Sequence, residues 1–144
     1  MDVVIAVVMI GLTSAVHAGA MLLAFKAIRW SHAPRSWHIH RVAIVVHIMA
    51  IAGLLETLLW ASVYLGMGFI DGFRKAVYFS IVTYTTLGYG DVTPDESWSL
   101  LAAFSSINGI IMFGWSTAVV IAAVQNIFFP HGLAHSLSPP DDDD

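Results

Sequence analysis

The chain has 144 residues, of which 58% are hydrophobic and 11% charged, with a mean hydropathy of +0.77; a water-soluble domain is about 45–50% apolar and about a quarter charged. The net charge of −4 equals the contribution of the C-terminal Asp run at 141–144. Six Lys and Arg give no basic surface for nucleic acid, and zero cysteines exclude disulfides, thiolate metal sites and cysteine nucleophiles. What remains is an integral membrane protein.

Residues 3–25 form the first stretch long enough to cross a bilayer, which takes about 20 apolar residues. His17 is its one strongly polar side chain. The run is too long for the apolar core of a signal peptide and no basic segment precedes it, so a retained helix is expected within 1–30. Gly11, Ala15 and Gly19 give this helix a small-residue face at fourfold spacing, expected to pack on another span. Lys26, Arg29, Arg35 and Arg41 surround the connection 31–41, which the positive-inside rule makes cytoplasmic; Arg74 and Lys75 are two against four. The N-terminus then lies outside, 69–95 opens outward, and the C-terminus lies inside. Trp30 and Trp37 near the inner face, and Trp60 and Trp98 near the outer, fit an aromatic belt.

The second span, 42–66, carries His47 and a single acid, Glu56. A carboxyl at that depth costs about 3 kcal/mol unless paired or protonated. Two readings stand side by side: Glu56 bonds the following short helix or the back of the loop after it and influences gating, or it is a structural tie to Thr83, Tyr84 or Trp60. The apolar segment 73–86 spans only about 20 Å as a helix, so it lies on the surface or is re-entrant.

The string Thr85-Thr86-Leu87-Gly88-Tyr89-Gly90-Asp91 follows directly. Irregular backbone at membrane depth is tolerated only where protein buries it or water lines it. Gly88 and Gly90 can take positive φ, and alternating such residues with ordinary ones turns successive carbonyls to the same side. A stack of carbonyls around one axis replaces the hydration shell of a cation. The Thr86 hydroxyl adds an oxygen at the inner end, and the C-terminus of the preceding helix brings about half a negative charge. The same string could also form a surface turn, which would leave the half-length helix without a purpose.

This string resembles the Thr-Val-Gly-Tyr-Gly selectivity filter of the potassium channel pore family, with Leu87 in the Val place. Residues 76–86 resemble a pore helix, and Asp91-Val92-Thr93-Pro94 resembles the outer mouth of voltage-gated and two-pore-domain channels. Gly109 and Gly114, nineteen and more residues past Gly90 in the third span (97–129), fall where the family has an inner-helix hinge; close packing is the alternative role, and Asn108, Ser116 and Thr117 are read in the same two ways. The resemblance covers 42–129 and is nearest to bacterial one-pore ion-channel proteins. It implies an all-α membrane protein with three transmembrane helices, a re-entrant pore helix and a filter loop per subunit, assembled as a homotetramer. It also implies K+ on the carbonyls of Thr86, Leu87, Gly88 and Tyr89, with Gly90 completing the loop and Asp91 giving a negative ring at the outer mouth. The Tyr89 ring is expected to point away from the ion path and brace the loop. Tyr78, Thr83, Thr85 and Glu56 are candidates for supporting the filter or gating it. Ile110, Phe113, Thr117, Ile121 and Gln125 would line the cavity below.

The chain departs from two-helix relatives in its additional first helix, and no helix has the repeated arginines of a voltage sensor. His32, His38, His40, His131 and His135 crowd the inner side: a proton sensor, a weak metal site, or plain interfacial residues. The tail 130–144 is expected to be a short disordered segment without function, its Asp run native or a cloning remnant. No enzymatic constellation stands out and no cofactor is expected; the partners are membrane lipids, K+ and further copies of the chain, not nucleic acid. The expected location is a bacterial inner membrane. A non-selective monovalent cation channel competes with the potassium channel. A haem cytochrome using His17 and His47 as axial ligands and a non-conducting scaffold subunit are more distant alternatives.

Overall fold

The computed structural model describes residues 1–30, of which Trp30 by its backbone alone, and 37–129. Arg35, His32, His131, His135 and the tail 130–144 lie outside the described residues. Four α-helices follow one another: α1 (Asp2–Trp30), α2 (His38–Gly66), the short α3 (Phe73–Tyr84) and α4 (Ser99–Phe128), the last preceded by a 3-10 turn at Glu96–Trp98. The protein is all-α, and α1, α2 and α4 are each long and apolar enough to cross a membrane.

The first two spans are longer than their apolar runs for one reason. Apolar runs mark what sits in lipid, whereas helical hydrogen bonding carries on into the interface. Thus α2 begins at His38, so His38, His40 and Arg41 are helical rather than part of a loop extending to residue 41. Arg41 reaches back from there to donate to the carbonyl of Ile28 at 2.5 Å, a cation on the last turn of α1 where orphan carbonyls and the helix dipole favour it. α3, by contrast, is shorter than expected: it stops at Tyr84, and Thr85–Thr86 form its cap instead of its last turn.

α1, α2 and α4 pack pairwise, and α3 lies on α2 and α4. Two apolar clusters form: one around Met9, Trp60, Tyr64, Phe79, Leu101 and Met112, the other around Ile28, Val45, Met49, Val119 and Ile127. Between them runs a layer of buried polar side chains, Thr13, His17, Glu56, Thr57 and Asn108. In lipid there is no hydrophobic gain from pressing apolar helices together, so packing and interhelical hydrogen bonds, about 0.6 kcal/mol each on average, hold a bundle. The layer supplies them. Asn108 Nδ2 donates to Thr13 Oγ1 (2.8 Å), and Ser80 Oγ on α3 donates to the Thr57 carbonyl (2.6 Å).

These polar residues also decide which face of α1 is inward. Its buried line is Ala6, Met9, Thr13, His17, Ala24 and Ile28. The small-residue face does not pack within the protomer, contrary to expectation: Gly11, Ala15 and Gly19 are exposed, and nothing stands within 4 Å of a Cβ at either glycine. Thr13 and His17 need partners that lipid cannot give, and that need outweighs close backbone approach. Only 22–28% of each span is buried in one protomer, leaving most of the apolar surface for lipid or for other copies.

Candidate functional site

α3 ends in a structure that launches the loop. The Thr86 N–H donates to the Thr83 carbonyl (3.0 Å) and the Leu87 N–H to the Val82 carbonyl (2.9 Å), with Gly88 N–H on the same oxygen at 3.2 Å. This is a Schellman cap, whose left-handed residue is usually glycine. Here that residue is Thr86, at φ 60, the one non-glycine with positive φ among the described residues. A β-branched residue in that region costs of order 1–3 kcal/mol, and such strain gathers at functional sites. Gly88 (φ 55) and Gly90 (φ 76) follow. Positive φ therefore falls at 86, 88 and 90 and skips Leu87 and Tyr89, the alternation that turns successive carbonyls one way. The glycines were legible in the sequence; the third member, Thr86, was not, because nothing in its side chain favours that backbone.

The outer end is held as well. The Tyr78 hydroxyl donates to Asp91 Oδ2 at 2.7 Å, so one α3 side chain clamps the residue that closes the loop. That bond, and behind it partial desolvation and the Asp91 charge, raises the Tyr78 pKa above its ordinary value of 10.0. The clamp is thus fully present below pH about 10 and is lost as pH climbs through the raised value. Asp91→Asn is expected to bring the Tyr78 titration, followed by ultraviolet difference absorbance, down toward the ordinary range; an unchanged alkaline titration would contradict the clamp.

Of the remaining support candidates, Thr83 accepts through its carbonyl from Ser106 Oγ on α4 (2.9 Å), and Thr85 Oγ1 turns back to the Ile81 carbonyl (2.7 Å). Tyr89 is 67% exposed, so its ring is not packed against the rest of the described chain. Thr86, Leu87, Gly88, Gly90 and Asp91 are exposed too. Ile110, Phe113, Thr117, Ile121 and Gln125 form an exposed stripe on α4. Phe113, Thr117 and Ile121 also border an apolar cavity of about 670 Å³ between α2, α3 and α4, with His17 of α1 in its wall; Ile110 and Gln125 do not.

Glu56 is fully buried and meets α3 through Tyr84, whose hydroxyl donates to Oε2 at 2.5 Å. Trp60 does not contribute: its indole N–H has no partner. The other carboxylate oxygen, Oε1, lies 2.8 Å from His17 Nδ1, and His17 Nε2 lies 3.3 Å from Ser116 Oγ. With both ring nitrogens engaged inside the bundle, His17 does not share a site with His47, which is exposed and bonds the Ala43 carbonyl of its own helix. The haem pairing is therefore absent from this geometry. What was missed is His17 as the partner of Glu56: the sequence shows His17, His47 and Glu56 as strongly polar groups within the first two spans, each in need of a partner, but not which of them meet. His38 and His40 rest edgewise or tilted on Phe128 and Trp37, and no group of three or more His, Cys, Asp or Glu able to hold a metal occurs among the described residues.

Gly109 and Gly114 separate. A Cβ on Gly109 would stand 1.9 Å from the Tyr84 carbonyl oxygen, whereas nothing lies within 4 Å of one on Gly114. Gly109 is where α4 touches the end of α3, and α4 continues unbroken through both.

A model of the family described as ion channel matches residues 43–126. No curated protein and no solved structure matches the chain.

Proposed function

The chain belongs to the ion-channel family, and on that premise we propose that it is a potassium-selective channel in which four copies surround one axis. The carbonyls of Thr86, Leu87, Gly88 and Tyr89, with the Thr86 hydroxyl, take the place of water around a K+ ion moving passively down its gradient. The observation that carries this reading is the alternation of positive φ at Thr86, Gly88 and Gly90, anchored at one end by the α3 cap and at the other by Tyr78 and Asp91. One copy supplies one carbonyl per layer, so a cage needs several; the exposure of the whole loop and of the α4 stripe in a single protomer agrees with that. Asp91 then forms a negative ring that concentrates cations at the outer mouth. In this reading the N-terminus is outside and the C-terminus inside a bacterial inner membrane, with Lys26, Arg29, Arg35 and Arg41 on the cytoplasmic side. Gly114, free of neighbours, is the proposed bend in α4.

The test is cation flux in liposomes holding the purified protein. K+ flux is expected, with a reversal potential in mixed K+ and Na+ that follows the K+ gradient. A reversal potential indifferent to the choice of ion would make it a non-selective monovalent cation channel. No flux of either ion would leave a scaffold subunit.

A further inference from the structure

His17, Glu56 and Tyr84 stand in series across three helices. The imidazole of α1 meets one carboxylate oxygen of α2 at 2.8 Å, and the other oxygen receives the phenol of α3 at 2.5 Å. Ser116 of α4 closes the far side of the imidazole, and the Trp115 ring lies tilted against it at 5.2 Å. His17 and Glu56 are 1% and 0% exposed, and Tyr84 is 1% exposed. Tyr84 directly precedes the cap residues Thr85 and Thr86. The carbonyls just before it, of Val82 and Thr83, are those that hold the amides of Thr86, Leu87 and Gly88.

A mere fastening of α1 to α2 would not need this arrangement. Apolar side chains of similar volume hold helices as well as a buried ion pair does, often better. What distinguishes the pair is where its remaining bonding capacity goes: outward from α1 and α2, to the residue that sets the end of α3. The groups are short and planar, each locked at both ends, so a displacement of the imidazole has little slack to vanish into.

We infer that His17 and Glu56 are positioning residues for the ion-binding loop, so that the additional first helix sets the geometry of Thr86–Gly88 through Tyr84. The inference rests on the reading of that loop as the ion path, and it extends it to a helix outside the matched residues 43–126.

The experiment is hydrogen–deuterium exchange on the full chain in liposomes, comparing wild type with His17→Phe, His17→Gln and Tyr84→Phe, alongside K+ flux from the same preparations. Losing one buried hydrogen bond should speed exchange at residues 85–88 by about tenfold in His17→Phe and in Tyr84→Phe. Protection in α2 and α4 should stay as in wild type, and His17→Gln, which can still donate to Glu56, should restore slow exchange. Unchanged exchange at 85–88 in folded protein overturns the inference, as does acceleration confined to α1, which would make His17 an anchor for that helix alone. Should His17→Phe fail to accumulate, Tyr84→Phe, which removes one oxygen atom, decides. Exchange reports the loop whether or not ions pass. A silent wild type with accelerated variants would sink the channel reading and keep the positioning role, and a conducting wild type with unmoved variants would do the reverse.

Discussion

Gly109→Ala is expected to lower stability by about 3 kcal/mol or more, above the usual range for overpacking. The added methyl would lie 1.9 Å from the Tyr84 carbonyl oxygen, 2.9 Å from its carbonyl carbon and 3.2 Å from Cγ of its ring. Most of what it meets is backbone, so no rotamer change makes room. Nor can Tyr84 withdraw: its hydroxyl is held by Glu56, and the next turn of backbone is held in the cap. α4 would have to move off α3 by more than an ångström, breaking the Ser106 bond to Thr83 on the way. Gly114→Ala is the control. Its methyl meets nothing, and removing a glycine from a helix interior is worth up to about 1 kcal/mol, so its melting temperature should equal or exceed that of wild type. A Gly109→Ala protein that melts like wild type by circular dichroism would show that the two helices are not in the contact described. Flux through Gly114→Ala bears separately on the proposed bend, since a helix that needs to flex there should conduct less once the glycine is gone.

Gly88→Ala and Gly90→Ala should give folded protein that carries no K+. Both glycines have open space around them in one protomer, so the penalty is in the backbone alone: an L-residue in the left-handed region costs roughly 1–2 kcal/mol. One protomer absorbs that without unfolding. Four copies around one axis would pay it together, about 4–8 kcal/mol per pore, in a loop whose inner end already carries the strain of Thr86. The cheapest escape is a flipped peptide, which turns a carbonyl away from the ion and an N–H toward it. Helicity and melting temperature close to wild type, with K+ flux at background, are the expected pair of results. Wild-type flux through either variant would mean that the carbonyls of this loop do not bind the ion.

The three spans, the short helix α3 and the loop at 85–91 were legible in the sequence because each rests on a local property. A bilayer demands a length of apolar residues whatever lies beside them, a half-length apolar helix cannot cross it, and glycines at alternate positions announce backbone that other residues resist. Gly88 and Gly90 could be named from that alone. Partnership could not. That His17 of α1 meets Glu56 of α2, that Tyr84 rather than Thr83 or Trp60 takes the second carboxylate oxygen, and that the Gly11, Ala15 and Gly19 face is left outside all depend on how three uniformly apolar helices rotate against one another. Their hydrophobicity is spread around the whole circumference, so it carries no preferred inward face. The few polar groups in the layer between the two apolar clusters set that rotation, since lipid offers them no hydrogen bond and only another helix does. The left-handed Thr86 was hidden for a related reason: its conformation is imposed by the cap that α3 and the loop make together, against the preference of its own side chain.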